Sequence, residues 1–175
     1  MELEVKISHK KVDYNKAVQL LEKRVNEVIE GKKPVLDGKN ILSDGLVGSG
    51  SNLEIRNFNV VNYTANGLMI NGALNVKFID IYCENTGLYG VYPVECVGVT
   101  VERCTVTGVR DAGIYVGQSK DIVVRDCIVY GNVTGIEIEN SIGAIVENND
   151  AYDNAGGLQI AALGALCNPR QRAGH

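Results

Sequence analysis

The sequence predicts an all-β solenoid, in which short parallel strands stack coil upon coil, and two observations lead to this fold class. The chain of 175 residues contains 20 Gly and 3 Pro, which favours a turn-rich β architecture over a helical bundle. Glycines also recur every 22 or 23 residues, and each opens a short run in which apolar and polar residues alternate. That alternation is typical of strands with one buried face. The recurring glycines are Gly45, Gly67, Gly90, Gly113, Gly135 and Gly157.

Each repeat contains two such runs, as the fourth repeat illustrates. Its glycine is followed directly by Ile114-Tyr115-Val116, and a second run, Ile122-Val123-Val124, begins nine residues after that glycine. A unit of this length without a helical pattern cannot bury its apolar side chains alone, so successive units must stack. Stacking of like strand on like strand predicts a parallel β-helix of about six coils.

Stacked repeats place equivalent residues in columns, and two columns are wholly apolar, as inward-facing positions must be. They contain Leu46, Leu68, Val91, Ile114, Ile136 and Leu158, and Ile55, Phe78, Val101, Val124 and Val146. A third column contains Phe58, Ile81, Cys104, Cys127 and Asn149. The cysteines have no metal-binding spacing and are predicted to be buried free thiols, although the spacing of about 4.8 Å between coils leaves a Cys104–Cys127 disulfide open. The five cysteines are Cys83, Cys96, Cys104, Cys127 and Cys167.

Three sequence segments within the repeats resemble those of a known superfamily. They are "GLYGVYPVEC" at 87–96, "DAGIYVGQS" at 111–119 and "NVTGIEIENS" at 132–141. Together they resemble the right-handed parallel β-helix superfamily, which includes pectate-lyase-like enzymes, alginate epimerases and NosD-like bacterial proteins. The resemblance covers about residues 42–160 and implies a right-handed, pectin-lyase-like helix. It carries over no catalytic residues, because the most similar subgroup has no agreed set.

The repeats are expected to lie between two different terminal segments. Residues 1–41 are predicted to form a cap, with an amphipathic helix over 14–30 and then a lead-in strand, followed by repeats over 42–163. The helix would cover the first coil, or alternatively bind a partner. Residues 164–175 leave the period and are expected to be irregular, which suggests a fragment of a longer β-helix and end-to-end contact through an open last coil.

Charge, histidine content and hydropathy exclude several function classes. A net charge of −4 without a Lys/Arg-rich run predicts no nucleic-acid partner. Both histidines, His9 and His175, lie outside the repeats, so Ser-His-Asp catalysis and histidine-bound metals are not expected within them. No apolar stretch approaches about 18 residues, which predicts no membrane span. The N-terminus lacks a signal-peptide pattern, whereas the relatives implied by the resemblance are typically exported, and localisation stays open.

An outward column provides the candidate site. It contains Met69, Tyr92, Tyr115, Glu137 and Gln159, flanked on one side by Val94, Gly117 and Glu139 and at the preceding corner by Tyr89, Arg110 and Asp111. Tyrosines offer apolar ring faces to sugar C–H groups and a hydroxyl for hydrogen bonding, so an exposed Tyr/Glu ladder predicts polysaccharide binding. The residues expected to contact the saccharide are Tyr89, Tyr92, Tyr115, Gln118, Glu137 and Glu139. The structural alternative is that outward tyrosines are simply favourable strand residues.

Other functions stay open on the same surface. A polyuronate lyase or C5-epimerase would use Tyr115 or Tyr92 as base and Arg110, or Ca²⁺ held by Asp111, Glu137 and Glu139, to neutralise the uronate. The Asp-Pro-His-Asp motif of alginate epimerases is absent. An inverting glycosidase could use Glu137 and Glu139, whose carboxyls strand geometry places about 6–7 Å apart. Further alternatives are a NosD-like role with cysteine or Met69 ligands and a non-catalytic scaffold.

Overall fold

Sixteen strands wind through the residues that a computed structural model describes, 33–170, and this part of the chain contains no helix. In chain order the strands are β1 (Val35–Asp37), β2 (Leu46–Gly48), β3 (Ser51–Arg56), β4 (Asn59–Tyr63), β5 (Leu68–Asn71), β6 (Leu74–Ile79), β7 (Tyr82–Thr86), β8 (Val91–Val94), β9 (Val97–Glu102), β10 (Thr105–Thr107), β11 (Ala112–Gly117), β12 (Lys120–Arg125), β13 (Ile128–Tyr130), β14 (Thr134–Tyr152), β15 (Gly156–Leu163) and β16 (Leu166–Arg170). The chain divides into two units, Met1–Pro34 and Val35–His175, and the strands of the described residues all belong to the second. The helix predicted over 14–30 lies outside the described residues. Within 33–170 there is accordingly no helix long and apolar enough to cross a membrane.

Each coil passes in turn through three faces, which are named by their strands. Face A contains β2, β5, β8, β11 and β15, face B contains β3, β6, β9, β12 and β16, and face C contains β1, β4, β7, β10 and β13. The long strand β14 follows all three faces, because its successive parts pair with β11, β12 and β13. The strands pair in parallel with their equivalents in the adjacent coil, which confirms the predicted parallel β-helix.

The two apolar columns predicted from the repeat line the interior in register. On face A, Leu68 pairs with Val91, and on face B, Phe78 pairs with Val101. These side chains are fully buried in one continuous core. Burial of one such side chain contributes about 1.5–3 kcal/mol, so each coil that extends the columns adds to the favourable free energy of stacking.

The cysteine column is a packed stack of thiols that ends at a buried asparagine. Cys104 and Cys127 are free and fully buried, whereas Cys167 is exposed, contrary to the prediction for that residue. Asn149 takes the next place in the column without leaving a polar group unsatisfied. Its Oδ1 accepts a hydrogen bond from the Cys127 N–H at 2.9 Å, and its Nδ2 donates to the Val124 carbonyl at 2.9 Å. The amide therefore joins adjacent coils, which explains its place in an otherwise apolar column.

The corner between faces B and C repeats one backbone conformation in successive coils. Asn57, Asp80, Arg103, Asp126 and Asn148 all have φ between 51° and 60°. Asn and Asp enter this left-handed region more readily than other non-glycine residues, which explains their recurrence there. Arg103 is the exception, and its guanidinium contacts the Asp80 carboxylate of the preceding coil through two hydrogen bonds, of 2.8 and 3.1 Å.

The stack of strands extends beyond the repeat boundaries predicted from the glycine spacing. Strand β1 pairs with β4 from Val35 onward, so pairing begins in the segment assigned to the lead-in. Strand β16 lies within the segment 164–175 that was expected to be irregular, and Cys167 pairs with Val146 on face B. Strand β16 begins nine residues after Gly157, at the place of the second run in the earlier repeats, but its sequence does not alternate. Leu163 and Leu166 are 74% and 69% exposed, and end-to-end contact stays a prediction.

Candidate functional site

Three tyrosine rings pack together on the outer surface of face A and form what we call the tyrosine cluster. Tyr92 lies on β8 and Tyr115 at the equivalent outward position of β11, while Tyr89 lies in the corner that leads from face C into β8. The Tyr89 ring stacks on Tyr115 with centroids 4.5 Å apart and planes at 26°. The Tyr92 ring meets Tyr115 edge-on, with ring centroids 5.2 Å apart. It is tilted against Tyr89, with ring centroids 4.7 Å apart. These separations lie within or near the range of favourable aromatic pairs.

The cluster differs from the open, evenly spaced ladder that the sequence predicted. Tyr115 is only 8% exposed, because its ring is covered by Tyr89 and lies against Gly117. A Cβ at Gly117 would lie 2.7 Å from Tyr115 Cε1, so the missing side chain makes room for the ring. The Tyr115 hydroxyl donates a hydrogen bond of 2.6 Å to Glu139 Oε2. Tyr115 is therefore the base of the cluster, and the half-buried Tyr89 and Tyr92 form its outer surface.

Carboxylates surround the tyrosine cluster. Glu137 pairs in register with Tyr115, and Glu139 pairs with Gly117. The pKa of Tyr89 is raised to about 12, mainly by burial. The nearby groups Asp111, Tyr92, Glu137 and Glu139 raise it further. Burial, then the charges of Asp111 and Glu139, also raises the pKa of Glu137 above its usual value. The tyrosine hydroxyls thus lie in a negative electrostatic environment.

This environment opposes the catalytic roles predicted for the tyrosines. Burial, followed by the hydrogen bond to Glu139, raises the pKa of Tyr115, and burial, followed by the charge of Glu95, raises that of Tyr92. A general base for proton abstraction needs the opposite shift, since its deprotonated form must be available near neutral pH. Arg110 is exposed in the corner before Asp111, with its backbone N–H donating to the Thr86 carbonyl.

The carboxylates do not assemble the Ca²⁺ site that the sequence suggested. Among residues 33–170, no three His, Cys, Asp or Glu side chains lie close enough to hold a metal ion. Asp111, Glu137 and Glu139 therefore surround the tyrosine cluster without converging on one point. This arrangement does not fit the predicted ligand set, because Ca²⁺ takes six to eight oxygen ligands around one centre.

The remaining predicted site residues lie at the margins of the cluster. Gln118 is exposed at the corner between faces A and B, with φ of 46°. Met69 pairs with Tyr92, which extends the outward column by one coil. In the other direction Gln159 pairs with Glu137, and its Nε2 lies 3.5 Å from Thr134 Oγ1. The outward column thus exists as predicted, with aromatic residues in its middle coils only.

A second group of aromatic residues, on face C, was not singled out from the sequence. Tyr130 and Tyr152 pair in register and stack with ring centroids 5.1 Å apart and planes at 2°. On the same face the Tyr82 hydroxyl donates to Glu84 Oε2 at 2.9 Å, which repeats the Tyr115–Glu139 contact. The separation of Tyr130 and Tyr152 by one repeat length was the available signal. These residues provide matched controls for face A.

In-register parallel coils, buried apolar columns and an outward aromatic surface define the class of protein as a parallel β-solenoid. Residues 39–168 match the family model described as the right-handed β-helix region, and this match covers most of the chain. The protein therefore belongs to the right-handed β-helix family, as the resemblance in its repeats implied. No curated protein matches the chain significantly. The family description specifies a fold and leaves the activity to be argued from the site.

Proposed function

We propose that this β-helix domain binds an oligosaccharide or polysaccharide at the tyrosine cluster of face A. The single observation that carries the proposal is the packing of Tyr89, Tyr92 and Tyr115 into one outward aromatic surface. Tyr89 and Tyr92 would contact the apolar C–H faces of the sugar rings, with Tyr115 supporting them from beneath. Polar groups at the margin of the cluster would accept hydrogen bonds from sugar hydroxyls.

The strand pairing and the hydrogen bond that hold the tyrosine cluster in place reduce the entropic cost of binding. Strands β8 and β11 are each paired on both sides, and the Tyr115 hydroxyl is held by Glu139. A surface whose side chains are already ordered loses little rotamer freedom when a ligand binds. The rigid backbone would thus compensate for the shallowness of an outward strand surface.

The affinity expected for one such surface is modest. Covering two half-buried rings would remove on the order of 100 Å² of apolar area from water, which contributes about 2.5 kcal/mol. Hydrogen bonds add to this, and the cost of association subtracts from it. A short oligosaccharide should therefore bind with a Kd of about 1 mM, which corresponds to about 4 kcal/mol.

The enzymatic alternatives have less support in the site. The lyase or epimerase needs a tyrosine base and a cation, yet the pKa shifts of Tyr92 and Tyr115 oppose the first role and the surrounding charge is negative. The glycosidase needs two available carboxyls, but Glu139 already accepts the hydrogen bond from Tyr115. Binding requires neither a proton transfer nor a metal, and it is the function we propose.

A glycan array followed by calorimetric titration tests the proposal with three variants. Tyr92→Ala and Tyr89→Ala each remove an outer ring, while Tyr130→Ala removes a half-buried tyrosine from face C as a matched control. We expect the two face A variants to weaken binding of any captured saccharide by about five-fold or more, and the control to leave it unchanged. Absence of any saccharide ligand, or binding indifferent to both face A variants, would overturn the proposal.

A further inference from the structure

We infer that the saccharide carries protonated amino groups, so that the site selects an amino-sugar oligomer over neutral and acidic ones. This inference rests on the proposed function, since it concerns the ligand of the same tyrosine cluster. It starts from the combination of aromatic faces with carboxylates around them. A neutral sugar would use only the rings and hydrogen bonds, whereas an ammonium group would use the carboxylates as well.

The charges that act on the cluster are negative. Glu137 lies in register beside Tyr115 on the adjacent coil, and Glu139 accepts the hydrogen bond from the Tyr115 hydroxyl at 2.6 Å. Asp111, Glu137 and Glu139 also act on the Tyr89 hydroxyl, and Glu95 acts on that of Tyr92. Glu137 is itself affected by Asp111 and Glu139. Arg110 is the basic residue of the same corner, and its side chain is exposed to solvent. An incoming cation would therefore meet carboxylates on several sides of the rings.

Each contact that an ammonium group makes there is favourable. A cation over a tyrosine ring is attracted by the negative face of the π system. An ion pair with a solvent-exposed carboxylate strengthens binding by about two- to five-fold. A uronate would meet the same carboxylates as like charges, so the electrostatic contribution changes sign. The site should thus rank oligosaccharides as amino, then neutral, then acidic.

A saccharide fits this surface better than a basic peptide. Peptides commonly bind β proteins by adding a strand to an exposed sheet edge, which requires unpaired backbone groups. Strand β11 is paired on one side with β8 and on the other with β14, so no such edge lies beneath the cluster. What the surface offers is ring faces and carboxylates. Oligolysine is nevertheless included in the test, because it carries the same ammonium groups.

The experiment compares three oligosaccharides of equal length by calorimetric titration at low salt. The probes are hexamers of glucosamine, N-acetylglucosamine and galacturonate, at about pH 6, where ordinary carboxyls are ionised and ordinary amines protonated. We expect glucosamine hexamer to bind about ten-fold tighter than its N-acetylated form, and galacturonate hexamer to bind more weakly than either. Added salt should reduce the preference, because screening weakens exposed charge pairs.

Charge-neutral variants assign the preference to the site. Glu137→Gln and Asp111→Asn should each weaken glucosamine binding by about two- to five-fold more than they weaken N-acetylglucosamine binding, so that the ratio of the two affinities falls. The matched control is Glu84→Gln, which neutralises a carboxylate beside Tyr82 on face C. It should change neither affinity.

The outcomes separate this inference from the proposed function. Equal or tighter binding of N-acetylglucosamine or galacturonate hexamer, or an amine preference that survives both charge variants, overturns the inference and leaves the proposed function standing. Oligolysine that binds as tightly as glucosamine hexamer, with the same dependence on Glu137, overturns the assignment to a saccharide. Failure of all three hexamers to bind, or binding that Tyr92→Ala does not weaken, overturns the proposed function.

Discussion

Replacement of Gly117 by alanine tests whether the missing side chain at this position is what supports the tyrosine cluster. The new Cβ would lie 2.7 Å from Tyr115 Cε1, whereas carbon atoms in favourable contact are about 3.5–4.0 Å apart. The ring would therefore have to move by about 1 Å. A shift of that size would break the 2.6 Å hydrogen bond from the Tyr115 hydroxyl to Glu139.

The expected cost follows from these two effects. Overpacking of a well-packed site costs about 1–3 kcal/mol, and loss of a hydrogen bond to a charged group costs about 1.5–3 kcal/mol. Because relaxation of the ring relieves part of the first cost, we expect Gly117→Ala to lower the free energy of unfolding by about 2–4 kcal/mol. Saccharide binding should weaken as well, although no atom that contacts the ligand is removed.

Urea denaturation of Gly117→Ala and Gly157→Ala provides the assay and its control. Gly157 is a repeat glycine on face A, on strand β15, and a Cβ built there meets no atom within 4 Å. Gly157→Ala should change stability by less than about 0.5 kcal/mol. A double variant that also carries Tyr115→Ala removes the clash and should make the Gly117→Ala change nearly neutral. Equal effects of the two glycine variants, or an undiminished cost in the double variant, would refute the reasoning.

Three further predictions concern the core, a corner and the charge of the site. Asn149→Ala should lower the free energy of unfolding by about 2–3 kcal/mol and accelerate amide exchange at Cys127, because its N–H loses a buried partner; normal protection there would contradict this. Gln118→Gly should raise the free energy of unfolding by about 0.5–1 kcal/mol in urea denaturation, because φ of Gln118 is 46°, a conformation that glycine adopts more easily, and the side chain is exposed. A lower free energy of unfolding would argue for a role of that side chain. The pKa of Glu137 is higher in the folded protein than in the unfolded chain, so folding favours the protonated carboxyl. The stability that protonation contributes is therefore fully present below the unfolded pKa and is lost as pH rises through the folded pKa. Glu137→Gln should therefore increase stability at neutral pH relative to the parent and have less effect in acid, and an unchanged pH profile would contradict the shift.

The interior could be predicted from the sequence because stacking imposes a register. Once Gly113 and Gly135 were aligned, Ile114 had to lie beside Ile136, and the backbone pairing confirms it. The same rule extends past the last repeat glycine, where Cys167 pairs with Val146. That extension was missed because the sequence Leu166–Arg170 lacks the apolar and polar alternation of the earlier strands, although it begins nine residues after Gly157.

The candidate site was only partly predictable, because its shape depends on side chains from different coils and corners. The register predicted that Tyr92 and Tyr115 would be neighbours on face A. It could not predict that Tyr89 would fold from the corner onto Tyr115, nor that Gly117 would receive the ring. Both features depend on side-chain rotamers that tertiary packing determines. A column pattern predicts which residues face outward, and packing then determines which of them stay exposed.

The most direct test of the central claim is an NMR titration of the isotopically labelled protein with glucosamine hexamer, recorded over the backbone amides of faces A and C. The account predicts concentration-dependent shifts along Val91–Val94 and Ala112–Gly117, which carry Tyr92 and Tyr115, and none along Ile128–Tyr130 on face C. In Tyr92→Ala the same shifts should need about five-fold or more hexamer to reach half their final size. Shifts confined to face C, or an unchanged spectrum at saturating hexamer, would contradict it.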